Sequence, residues 1–162
     1  MALTNANTSL TVTQTQSRGS STSFQPITSQ ITSNPQYTVG TGTDQADVPY
    51  NKTLSVTAGA DLEIDLSGGT IKMDDDTTTA SFAVLTRCTI QQNSAGTLTV
   101  GGASAPVPNI SWVGYGSGAT YHNEYAGAGG IATVTATTAD KLKFSAASGT
   151  IYFTILLLGR SA

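Results

Sequence analysis

Apolar and polar residues alternate along this chain in short runs, and glycine-rich turns separate the runs. Alternation with a period of two places successive side chains on opposite faces, as in a strand buried on one side. It marks Thr53–Thr57 and Asp61–Leu66, the latter with Leu62, Ile64 and Leu66 on one face and Asp61, Glu63 and Asp65 on the other. Ser81–Asn93 carries Phe82, Val84, Cys88 and Ile90 on one face and Leu85 opposite, and Ser94-Ala95-Gly96 joins it to Thr97–Val100 as a predicted hairpin. Shorter runs at Thr70–Met73, Ile110–Val113, Tyr121–Tyr125, Ile131–Thr135 and Lys141–Phe144 complete the set, and Gly114–Gly118 reads as a flexible loop. The longest apolar run is Thr150–Leu158, bounded by Ser148-Gly149 and Gly159-Arg160. Ile151, Phe153, Ile155 and Leu157 fall on one face; Tyr152, Thr154, Leu156 and Leu158 fall on the other. A strand apolar on both faces is central in its sheet or covered by another subunit. Ile151, Phe153, Ile155, Leu156, Leu157 and Leu158 are therefore the expected core and oligomer interface. Short strands at intervals of about ten residues predict an all-β fold, an antiparallel β-sandwich of jelly-roll-like form.

The segment before residue 46 has a different character. It is built from Ser, Thr, Gln and Asn, and Arg18 is its only charged side chain before Asp44. Such a stretch cannot bury enough apolar area to offset its ordering entropy. Residues 1–45 are expected to form an extended polar arm that orders on a partner, and residues 46–162 the sandwich. Ser9–Thr13 alternates and could add a strand to a neighbour's edge, while Pro26 and Pro35 divide the arm into extended pieces. Its sparse apolar residues, Leu10, Val12, Phe24, Ile27, Ile31 and Tyr37, are the expected contact points.

Composition sharpens this picture. Thr makes up about a sixth of the chain, and charged residues only 10 %, against about 25 % in an average domain. The formal charge is −3, with no Lys/Arg cluster to neutralise phosphates, which argues against nucleic acid as a partner. The lone Cys88 excludes an intrachain disulfide. No charged-then-apolar leader opens the chain and no run suits a membrane helix, so the expectation is a protein made in a cytoplasm, with no membrane partner.

The candidates for chemistry are few. His122 and Glu124 would share a strand face, but a zinc site needs three or four ligands and the chain has one His and one Cys. Cys88 lies on an apolar face and reads as a small buried hydrophobe. Asp74-Asp75-Asp76 lacks the spacing of a calcium loop and reads as a solvated turn. Asp61, Glu63 and Asp65 could supply paired carboxylates for glycoside cleavage, though their interleaving with Leu and Ile reads as a solvent face. Gly114, Gly116 and Gly118 lack the strand-to-helix setting of a dinucleotide loop. Trp112, Tyr115, Tyr121 and Tyr125 could form a sugar platform or pack in the core and at subunit contacts. No constellation carries a reaction, and no enzyme activity, metal or cofactor is expected.

Three stretches together resemble small virion proteins of tailed bacteriophages. They are Gly42–Tyr50 with Ala58–Gly68, then Leu98–Ala103, then Thr138–Phe144 with Ser148–Thr150 and Leu158–Ala162. The resemblance covers about Thr41 to Ala162. It implies a β-sandwich with a structural role on a phage head or tail, and no catalytic residues. The expectation is a capsid decoration or cement protein located in the virion. It would bind the major capsid protein through its arm and itself as a homo-oligomer, a trimer by preference. The alternatives are a tail or fibre module that recognises a host receptor and, from another class, a carbohydrate-binding module or glycan-cleaving enzyme.

Overall fold

The computed structural model describes the backbone of residues 6–7, 10–20, 23–33, 36–68, 71–72, 79–125 and 128–161, with side chains from 37 onward. The expected Asp74–Asp76 turn and both ends of the Thr70–Met73 strand, Thr70 and Met73, lie outside the described residues. In the arm, β1 (Ala6–Asn7) pairs with β4 (Gln36–Tyr37), and β2 (Leu10–Ser20) pairs with β3 (Ser23–Ser33) as an antiparallel ribbon. The strand expected at Ser9–Thr13 thus pairs within its own chain over Leu10–Thr13, where Val12 lies opposite Ile31.

The rest is an all-β sandwich of two antiparallel sheets. Its strands are β5 (Val48–Thr57), β6 (Leu62–Asp65), β7 (Val84–Gln92), β8 (Thr97–Val100), β9 (Trp112–Tyr115), β10 (Thr120–Glu124), β11 (Ala132–Thr133), β12 (Lys141–Ala146) and β13 (Thr150–Arg160). The front sheet runs β10-β7-β13-β5 with β11 also on β7; the back sheet runs β6-β12-β8-β9. The chain changes sheet at every connection except β8–β9 and β10–β11, the winding of a jelly roll.

β13 is central in the front sheet, pairing with β5 on one side and β7 on the other. Its inner residues Ile151, Phe153, Ile155 and Leu157 are fully buried. They meet Ile64, Leu98, Val100, Leu142 and Phe144 of the back sheet in one core. The Phe144 and Phe153 rings stack across the two sheets with centroids 4.5 Å apart. β5 begins at Val48, earlier than the expected Thr53, and includes Pro49. An edge strand tolerates a residue that cannot donate to a ladder.

Three expectations are corrected. Leu85 lies on the core side with Cys88 and Ile90, not opposite them. A bulge sets Leu158 against Arg87 and Gly159 against Leu85, leaving Thr86 over, and this extra residue reverses the side-chain parity. The Thr86 hydroxyl donates to the Leu158 carbonyl at 2.9 Å and fixes the bulge. Second, β7 and β8 are not a hairpin; they lie in opposite sheets. The turn between them passes through Gly96 at φ 112°, and the buried Gln92 amide braces it by donating to the Ser94 and Gly96 carbonyls, each at 2.8 Å. Third, Gly114 belongs to β9 and is buried, because the Trp112 ring occupies the space a β-carbon would need.

The inter-sheet stack gives a direct test. Phe153→Ala and Phe144→Ala should each lower the unfolding free energy by about 3–5 kcal/mol, and the double variant by less than the sum, since each single change already removes the stack. Chemical denaturation of the four proteins checks this; additive losses would contradict it.

Candidate functional site: the root of the arm

Pairing of β10 with β7 sets Glu124 beside Arg87 and His122 beside Thr89 on the outer surface of the front sheet. The Arg87 Nε donates to Glu124 Oε1 at 2.7 Å, and Nη2 lies 2.7 Å from the same oxygen. His122 Nε2 lies 3.5 Å from Glu124 Oε2, and its Nδ1 is hydrogen-bonded to the Thr89 hydroxyl at 2.8 Å. The Arg87 and Glu124 side chains retain only 8 % and 9 % exposure although they point away from the core.

Tyr37, which opens the loop over residues 37–47, lies over this pair. The Arg87 guanidinium lies over the Tyr37 ring, 5.4 Å from its centroid, a cation–π arrangement that gains from exclusion of water. Tyr37 is fully buried and packs with Ala46 and Leu158 in a small cluster of its own. Burial, and then the neighbouring Glu124 carboxylate, push the Tyr37 phenol well above its usual range. The covering loop is bonded to itself: the Ala46 amide donates to the Thr38 carbonyl at 2.9 Å and the Gly42 amide to Gln45 Oε1 at 2.8 Å. It is tied to the last residues of the sandwich. Asp47 accepts from the Ser161 amide at 2.7 Å and the Ser161 hydroxyl at 2.5 Å, and Arg160 donates to the Gly42 carbonyl at 2.8 Å.

The structure therefore places Tyr37 with the sandwich, as the root of the arm. The side chains of Leu10, Val12, Phe24, Ile27 and Ile31 lie outside the described ones. On β13, Leu158 is buried under the covering loop, Leu156 is half-buried on the outer surface, and Tyr152 is 53 % exposed there. The same surface carries hydroxyl pairs, Thr53 with Thr154 and Thr57 with Thr150. Arg87, Glu124, Asp47 and Arg160 were not singled out as a group by sequence. The available signal was Arg87 itself, a lone charge inside the apolar run Val84–Ile90.

The other candidates scatter. Asp61 pairs with Lys143 at 2.7 Å and Glu63 lies 3.6 Å from Lys141. The Lys143 and Ser145 hydrogen bonds hold the Asp61 carboxyl below its usual range. Asp65 accepts from the Ser67 and Gly68 amides and shapes the turn after β6. Trp112 packs against Tyr121 with ring centroids 6.3 Å apart, whereas Tyr115 and Tyr125 are exposed. Cys88 is buried in the core, and burial pushes its thiol well above its usual range. Among the described residues no three His, Cys, Asp or Glu side chains are grouped to hold a metal ion, and no helix is long and apolar enough to cross a membrane. Comparison with protein-family models, with curated proteins and with solved structures finds no match.

The buried acids predict an alkaline limit to stability. Unfolded thiols and phenols lose their protons near 9 and 10, whereas folding holds Cys88, Tyr37 and Tyr121 protonated above those values. Their contribution is complete below about pH 9 and is lost as pH rises, because the unfolded chain then binds fewer protons. The urea midpoint should fall steadily above about pH 9, and Cys88→Val should delay the first part of the fall. A midpoint independent of pH over that range would contradict this.

Proposed function

We propose that this protein is a virion structural protein of a tailed bacteriophage, a capsid decoration or cement protein. It binds the major capsid protein through the arm and associates with itself as a symmetric oligomer, a trimer by preference. The observation that carries this reading is the buried root of the arm. A nearly charge-free polar segment leaves a rigid sandwich from one fixed point, which suits a tether between a solid module and a shell. Repeated over symmetry-related sites, such tethers give avidity without strong single contacts. The outer surface of β13, with Tyr152 exposed and Leu156 half-buried beside threonine pairs, is the part of the front sheet suited to meet a neighbouring copy. The resemblance of residues 41–162 to phage virion modules supports the same reading, as does the jelly-roll winding.

A second reading has one observation in its favour. Tyr115 and Tyr125, 79 % and 58 % exposed, would suit a tail or fibre module that touches a receptor. The glycan-cleaving reading draws less support, since Asp61 and Glu63 face lysines and Asp65 serves a turn.

Deleting residues 1–36 separates these readings. For a cement protein the shortened chain should remain a folded oligomer and lose cosedimentation with purified heads of the parent phage. Undiminished binding would contradict the proposed role of the arm.

A further inference from the structure

The loop over residues 37–47 has an unusual floor. One end, at Asp47, is tied to Gly159 through its amide at 3.0 Å and to Ser161 through its carboxylate. The other end, at Tyr37, lies on the Arg87–Glu124 ion pair. Covering that pair removes two charges from water, a cost their mutual attraction offsets only in part. If the loop lifts, water returns to both charges and this cost disappears. The floor is mixed: Leu158, packed with Tyr37 and Ala46, opposes lifting in proportion to its buried area, whereas the ion pair does not. Lifting would also exchange the Arg160–Gly42 hydrogen bond for bonds to water. The loop can move as a body, because Thr38 is bonded to Asp44 and Ala46, and Gln45 to Gly42, within the loop itself.

We propose that residues 37–47 form a strap that lifts from the front sheet about a hinge at Asp47, freeing Tyr37 and the arm while the sandwich stays folded. The ion pair is the detachable part of the floor. This inference stands apart from the capsid reading, because it concerns the isolated protein.

Native-state proteolysis of the full chain tests it. Chymotrypsin cuts after tyrosine, and Tyr37 is closed to it while the strap is down. Mass spectrometry identifies the fragment that begins at Thr38. That fragment should accumulate under conditions where the sandwich is intact, and its rate should rise with urea much less steeply than global unfolding does. Absence of the cut until the sandwich unfolds, or a slope equal to that of global unfolding, would overturn the proposal. Variants give a second arm. Arg87→Met alone leaves the buried Glu124 with only His122, 3.5 Å away, and should speed the cut at least tenfold, whereas Arg87→Met with Glu124→Leu should be cut no faster than the wild type. A double variant cut faster than the wild type while its sandwich remains folded would overturn the role of the ion pair. If the double variant does not fold, the urea slope of the wild type decides.

Discussion

Burial of β13 on both edges and on its inner face is the constraint from which the rest follows. Its ladders to β5 and β7 fix the front sheet, and its inner side chains fix the distance to the back sheet through the Phe153–Phe144 stack. With both sheets set, the remaining strands have few choices. Each connection that changes sheet must turn a corner, and the corner after β7 is held by a buried glutamine in place of a long loop. The bulge beside Leu158 then turns Leu85 inward, while Arg87, in register with Leu158, faces outward by ordinary alternation. A core residue and the cation on which the arm is rooted thus lie on either side of one local irregularity.

The outer surface of the front sheet is divided in two. At one end the loop over residues 37–47 covers Leu158, Arg87 and Glu124; toward the other end Tyr152 and the threonine pairs face outward. The first part joins the arm to the sandwich, and the second is open to a neighbour. The back sheet differs, with Lys141 and Lys143 set against Glu63 and Asp61. Ion pairs of that kind keep an outer face hydrated and add little to stability. The asymmetry fits a module with one surface for assembly and one for solvent.

Much of this fold was legible in the chain. Alternation located nearly every strand of the sandwich, because a half-buried strand must show one face to the core and the other to water. The two-faced pattern of Thr150–Leu158 signalled its central place. What was not legible depends on contacts distant in sequence. Whether Ser81–Asn93 and Thr97–Val100 pair with each other or face each other across a core is decided by strands far along the chain. The side taken by Leu85 depends on a bulge that local alternation does not encode. The cover over Leu158 was legible only in part. Its apolar character asked for a partner, but residues 37–47 read as arm and boundary, and only the fold brings Tyr37 onto Arg87.

The function proposed for this chain is adhesion between modules and a shell. Electron cryomicroscopy of the parent virion tests that claim most directly. The account predicts density for the sandwich on the outside of the head, in symmetric clusters, with an extended segment leaving the Tyr37 end along the capsid subunits. Heads that lack this density, together with isolation of the protein as a monomer that turns over a substrate, would contradict it.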